Sequence, residues 1–228
     1  MITKTINNRR RRRPKQGANM KRIPLLLGVL LLFPGSAQTF AADSRELLAL
    51  LKQGNYVIIF RHGATDDSQK DIYPFKFDDM KAQRQLSEKG REAARQIGAA
   101  LKAQGVPVGD VYTSRLNRAV ETGQILSGKE VRAVDVLTDS GAGSASSMAN
   151  PTGANAKAGL AMRELVNAVP VPGTNNLLVT HKTNFADAFG KEAGDVGEAE
   201  AFVYKPNPAS PAVFVGRIKA PDWNIASN

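Results

Sequence analysis

The chain has 228 residues and a formal charge of +10, with no cysteine and only two histidines. The missing thiols exclude disulfides, a lipidated N-terminal cysteine and any thiolate zinc site. The charge suggests nucleic acid only until it is located. Lys4, Arg9 to Arg13, Lys15, Lys21 and Arg22 put nine basic residues and no acid in positions 1–22, positions 23–42 are uncharged, and from Asp43 onward 22 basic residues face 21 acidic ones.

The N-terminal part reads as a leader. Met20-Lys21-Arg22 is a short basic segment, the apolar run Ile23 to Phe33 follows, and Pro34-Gly35-Ser36 breaks it before the small residues around Ala41-Ala42. This pattern predicts a secretory signal cleaved after Ala41 or Ala42. Eleven apolar residues are too few for a spanning helix, which needs roughly 20. Met20 is the better start of such a signal, because residues 1–19 add only a basic extension that fits a twin-arginine signal poorly. The expectation is a two-part chain. Residues 1–42 are extension and signal, and residues 43–228 form a single domain that is periplasmic or secreted, without a stable membrane anchor.

In chain order, Ser44 caps a helix to about Lys52 with Leu47, Leu48 and Leu51 on one face. The apolar run Tyr56 to Phe60 predicts a buried strand. Residues 64–85, polar and Pro-containing, predict an active-site loop. Ser87 caps a helix to about Gln104, with Ala93, Ala94, Ile97, Ala100 and Leu101 as its apolar stripe. Val106 to Tyr112 predicts a strand, Thr113-Ser114 opens a helix to about Leu126, and Glu130 to Leu137 predicts a third strand. Residues 138–155 form a long Gly- and Ser-rich loop of the kind that is usually functional or mobile. A helix at 156–168, a strand at 177–180, a short helix at 185–189 and two late strands at 199–204 and 212–218 complete the chain. Strand–helix alternation ending in a hairpin predicts a three-layer α/β/α sandwich with a mostly parallel central sheet.

Both histidines end apolar strands, His62 after Tyr56 to Arg61 and His181 after Leu177 to Thr180. Ligands of open α/β sheets bind beyond the carboxyl ends of the strands, so imidazoles far apart in sequence can share one site. A neutral imidazole with one nitrogen free can attack phosphorus, provided its other nitrogen donates to a fixed acceptor. Arg61 beside it disfavours the imidazolium and binds phosphate oxygens through a planar fork. Gly63 would allow close approach of the backbone to a ligand. In Tyr112-Thr113-Ser114-Arg115-Leu116-Asn117-Arg118-Ala119 an arginine, Arg115 or Arg118, enters a helix whose first N–H groups add anion affinity.

Arg61-His62-Gly63, Leu86-Ser87-Glu88-Lys89-Gly90, the Tyr112 to Ala119 string and Thr180-His181 occur in the order found in the histidine phosphatase superfamily. The chain resembles that family, with a phosphoglycerate mutase-like fold, over nearly all of residues 43–228. The resemblance implies that His62 is phosphorylated during turnover. It implies that Arg61, Arg118 (selected over Arg115 by the Ser-x-Leu-x-Arg frame) and His181 hold the phosphoryl oxygens. It also implies that Thr65 touches phosphate and that an acid protonates the leaving alcohol. Leu137-Thr138-Asp139 makes Asp139 the first choice of acid, with Glu198 as its rival and Asp66 and Asp67 as further candidates. Ala64-Thr65-Asp66 departs from the family's usual polar follow-up to Arg-His-Gly.

No metal and no cofactor are implied. The expected partner is a phosphorylated small molecule or a cell-envelope sugar phosphate, hydrolysed as a monoester by a small exported phosphatase; nucleic acid is not expected. The alternatives are a non-catalytic phosphate-binding module on the same fold and, less well supported, a phosphoglycerate mutase. Only 62 residues lie between Arg118 and His181, which leaves little room for a mutase's substrate-enclosing segments.

Overall fold

Val57–Arg61 (β1) and Asn175–Thr180 (β4) are the central strands of a six-stranded sheet, paired in parallel from Val57↔Asn176 to Arg61↔Thr180. Their side chains alternate between two cores. Ile58, Phe60, Leu177 and Val179 enter one apolar cluster, and Val57, Ile59 and Leu178 enter the other. A strand covered on both faces reads as an unbroken apolar run, which is why these two were legible. The computed structural model describes residues 43–139 and 154–227; the expected signal segment and most of the expected 138–155 loop lie outside them.

The remaining strands are Val108–Thr113 (β2), Arg132–Ala133 (β3), Ala201–Lys205 (β5) and Val213–Ile218 (β6), in the order β3-β2-β4-β1-β5-β6. The first four strands of that order run parallel, and β5 and β6 are antiparallel additions. Helices Ser44–Leu51 (α1), Glu88–Ala103 (α2) and Asn117–Ser127 (α3) cover one face. Helices Ala154–Val166 (α4) and Lys182–Phe189 (α5) cover the other. The fold is the expected three-layer α/β/α sandwich.

Four elements differ from the expectation, each for a local reason. The third strand shrinks to two residues because Asp135–Leu137 coils into a 3₁₀ turn, closed by Thr138 N–H on the Asp135 carbonyl at 2.9 Å. The turn swings Leu137 into the second core, fully buried. Helix α3 starts at Asn117 because Ser114 Oγ accepts the Leu116 N–H at 3.1 Å, a side-chain turn that competes with the helix. Arg118 is therefore the second residue of α3 rather than one turn in. Helix α5 starts directly after His181, earlier than the predicted 185. At the C-terminus a 3₁₀ segment, Ala220–Ser227, buries Trp223 against Phe60, with ring centroids 5.5 Å apart.

Candidate active site

Strand β1 carries His62 past its end, where the His62 N–H donates to the Thr180 carbonyl at 3.0 Å and prolongs the β1–β4 ladder. The same pairing brings in His181, and the two rings stand with centroids 5.1 Å apart and planes tilted by 58°. Strand β2 ends beside them, since Ser114 N–H donates to the Val179 carbonyl at 2.9 Å. Three parallel strand ends thus build one floor, at the carboxyl edge where open α/β sheets bind ligands.

His62 is 3 % exposed, and its Nδ1 lies 2.7 Å from the Gly63 carbonyl oxygen. That carbonyl accepts a proton, so Nδ1 is the protonated nitrogen and Nε2 keeps its lone pair. Burial, followed by the Arg118 charge, pushes the imidazole pKa down to about 3, while the Gly63 carbonyl acts in the opposite direction. The ring is neutral across the physiological range. His181, equally buried, is held well below the ordinary histidine value by burial, then by His62 and by Arg118. Its Nε2 lies 2.7 Å from Ser114 Oγ.

Arg61 and Arg118 flank the pair. Arg61 Nη1 donates to the Val196 carbonyl at 2.9 Å, and its Nη2 stands 3.6 Å from Glu198. Arg118 is 1 % exposed and donates from Nη1 to Asp71 Oδ1 at 2.9 Å. Burial lowers the pKa of both guanidiniums, opposed at Arg61 chiefly by Glu198 and at Arg118 by Asp71. Arg115, by contrast, turns outward to Asp135 at 3.1 Å and stacks over Phe77, so Arg118 is the arginine that α3 delivers to the site.

The sequence reading missed Arg84. Its charge acts on Arg61, His62, Arg118 and His181 alike. The 64–85 segment delivers it through two anchors. Asp71 Oδ1 accepts the Arg84 N–H at 2.9 Å, and buried Gln83 joins the carbonyls of Lys76 and Phe77 to the N–H of Asn117 at the start of α3. The only signal was position, two residues before Leu86 of the Leu-Ser-Glu-Lys-Gly string, in a stretch without periodicity. Nε of Arg61, Arg84 and Arg118 and Nδ1 of His181 are buried nitrogens without a protein partner. Buried polar groups are normally paired, and four unpaired nitrogens on groups within electrostatic reach of one another fit an oxyanion.

The candidate acids separate by position. Asp139, half-buried, accepts from Thr183 Oγ1 at 2.6 Å in the first turn of α5, and its charge acts on Arg118. Glu198 stands against Arg61, with 42 % of its side chain exposed. Asp66 is exposed and caps its own loop at Ser68, whose side chain and then whose N–H lower its pKa, which suits it poorly to donating a proton. Asp67 is exposed and lines a cavity of about 460 Å³ with Gln69, Lys70, Asp71 and Arg84. Thr65 is half-buried and pairs through its backbone with Leu86.

Gly63 has a steric reason in the fold itself. A Cβ there would stand 2.9 Å from the Gly90 carbonyl oxygen, and one on Gly90 would collide with the Ala64 carbonyl. The glycine is required by contact with α2. Thr122 secures the same turn, accepting the Gly63 N–H at 3.2 Å and donating to the Arg118 carbonyl at 2.6 Å. Among the described residues no cluster of three or more His, Asp or Glu side chains is placed to hold a metal ion. No helix among them is long and apolar enough to cross a membrane.

A model of the histidine phosphatase superfamily (branch 1) matches residues 57–165, from β1 through most of α4. A 2,3-bisphosphoglycerate-dependent phosphoglycerate mutase of Parvibaculum lavamentivorans is 36 % identical over 72 residues, 32 % of either chain, so the match spans about a third of that relative. Among solved structures, phosphoserine phosphatase from Entamoeba histolytica in complex with 3-phosphoglyceric acid shares the fold, at 16 % identity and TM-score 0.50 over 74 % of this chain and 98 % of that one. A mycobacterial glucosyl-3-phosphoglycerate phosphatase does so at 19 % identity and TM-score 0.50, over 73 % and 100 %. The matched residues carry Arg61-His62-Gly63, Leu86 to Gly90 and Tyr112 to Ala119, with Thr180-His181 beyond the match, and they support membership of the histidine phosphatase superfamily.

Proposed function

We propose that this protein is an exported phosphomonoesterase that works through a phosphohistidine formed on His62. The observation that carries the reading is the pairing of Nδ1 of His62 with the Gly63 carbonyl, which leaves the lone pair of Nε2 free in a ring that lies against His181 and within electrostatic reach of Arg61, Arg84 and Arg118. Nε2 attacks phosphorus in line, the bond from phosphorus to the ester oxygen breaks, and the arginines stabilise the charge on the equatorial oxygens. The positive charge that the ring acquires is offset by the Gly63 carbonyl. A carboxylic acid gives its proton to the departing alkoxide. Water then attacks the phosphohistidine, returns a proton to that carboxylate and releases inorganic phosphate.

Asp139 is the first choice of acid, because α5 fixes it through Thr183 beside Arg118. Glu198, on Arg61, is its rival. The charged and amide-lined cavity beside Arg84 suits a hydroxylated leaving group, such as a sugar phosphate of the cell envelope. A larger apolar alcohol would find no comparable lining there. Export rests on the leader, Met20 to Ala42, and places the enzyme in the periplasm or outside the cell.

Hydrolysis of p-nitrophenyl phosphate by the purified protein, with acid-quench trapping of a labelled phosphoenzyme, tests the reading. His62→Ala should abolish both, and normal turnover by that variant would sink the mechanism. Asp139→Asn and Glu198→Gln, compared on alkyl and nitrophenyl esters, identify the acid. The true acid variant loses the alkyl ester and is spared on the leaving group that needs no proton. The 72-residue likeness to a mutase gives a second reading, tested by supplying 3-phosphoglycerate and looking for its isomer rather than for free phosphate.

A further inference from the structure

We propose that Ser114 is the positioning residue that fixes His181 as its Nδ1–H tautomer, so that His181 offers a proton where His62, in the same tautomer, offers a lone pair. The role given to His181 rests on the phosphatase reading above; the tautomer does not.

The donors and acceptors around Ser114 decide the tautomer. Ser114 is fully buried, and its Oγ has two neighbours, the Leu116 N–H at 3.1 Å and Nε2 of His181 at 2.7 Å. The amide can only donate, so it takes one lone pair of Oγ. If Nε2 carried the imidazole proton, Oγ would accept twice. The serine O–H would then be left without an acceptor in a dry site, at a cost of about 1–3 kcal/mol. If the O–H donates to Nε2, every group around Ser114 is satisfied. The imidazole proton then sits on Nδ1, one of the buried nitrogens without a protein partner. A neutral N–H at that position can donate to a phosphoryl oxygen and adds no further charge to a site that already holds three guanidiniums.

The two imidazoles are thereby matched. The Gly63 carbonyl, an obligate acceptor, takes the proton of His62 Nδ1 and leaves Nε2 nucleophilic. The Ser114 hydroxyl, used as a donor, occupies His181 Nε2 and leaves Nδ1 protonic. One tautomer serves opposite purposes because the second-sphere partner meets a different nitrogen in each ring. The serine of the Tyr-Thr-Ser string acquires a reason in this way.

Long-range ¹H–¹⁵N correlation spectra of the full protein at neutral pH test the tautomer, with His181 assigned by its loss in His181→Asn. The expected pattern for His181 is a protonated Nδ1 and an unprotonated Nε2; a protonated Nε2 overturns the proposal. Saturating inorganic phosphate should shift the His181 Hδ1 resonance, and an unmoved Hδ1 overturns the donor role. Ser114→Ala should lower kcat by at least about tenfold, as loss of an oriented oxyanion donor does, and Ser114→Thr should recover most of it. Combined with His181→Asn, Ser114→Ala should cost little more, whereas an equal loss in both backgrounds marks a merely structural serine and overturns the proposal. Failure of the phosphatase reading shows separately, as missing phosphoenzyme in the wild type, and leaves the wild-type spectrum to decide the tautomer.

Discussion

One oxygen of Asp71 serves two parts of the site: Oδ1 accepts from Arg118 Nη1 and from the Arg84 backbone N–H, each at 2.9 Å. Asp71 is thus both the counter-charge of a buried guanidinium and the pin of the loop that brings the second one. Asp71→Asn keeps the shape and removes the charge. It should destabilise the protein by about 2 kcal/mol, less than for a fully enclosed pair because Asp71 is partly solvated. Urea midpoints measure the loss. Inorganic phosphate should recover part of it, since a bound dianion replaces the missing charge.

Arg84 should show the opposite sign. It stands within electrostatic reach of Arg61 and Arg118, so the ligand-free protein bears their repulsion. Arg84→Gln is expected to raise the melting temperature without ligand and to lower kcat/KM for a phosphate monoester by roughly 10²-fold, as loss of a single charge-stabilising donor does. Parallel thermal melts and steady-state kinetics check both halves.

Gly90→Ala places a methyl against the Ala64 carbonyl, a backbone group that cannot swing aside. The expected cost is about 1–3 kcal/mol of overpacking. A fall in kcat should accompany it, because the displaced turn also carries the Gly63 carbonyl that fixes His62. Gly105→Ala is the control. Its φ of +68° strains a side chain, but a Cβ there meets nothing within 4 Å, so stability should drop by about 1 kcal/mol with kcat unchanged.

Stability should fall with acid in a defined window. His62 titrates at about 3 in the fold, and His181 is also strongly lowered, while an unfolded imidazole titrates near ~6.5. Between those values the unfolded chain binds the extra protons. Each histidine therefore removes stability as the pH drops below ~6.5, by about 1.4 kcal/mol per pH unit, and has no such effect above it. Denaturation midpoints from pH 7.5 to 4.5 should show the slope, and His62→Asn should flatten it.

The parts of the molecule that the sequence disclosed are those where one physical signal dominates. β1 and β4 are apolar on both faces, α2 carries a clean stripe behind Ser87, and both histidines end buried strands. The third strand is shorter than its apolar pattern predicts because Val134, Val136 and Leu137 suit a strand and a 3₁₀ turn equally, and packing of Leu137 against α4 and α5 decides between them. Arg84 was hidden in a loop whose path depends on Gln83 and Asp71, contacts that no local pattern encodes. Trp223 gave no element of its own, yet it closes the first core against Phe60.

The parallel pairing of β1 with β4 joins residues 119 positions apart, as in Phe60↔Val179. Closing so long a loop is entropically slow, and the contacts that reward it come only once the ends have met. His62 and His181 therefore meet only in a chain whose central sheet has already assembled. A partly folded intermediate can contain each half of the catalytic set and still be inert, so recovery of turnover during refolding should lag behind recovery of helical signal and report the completion of the topology.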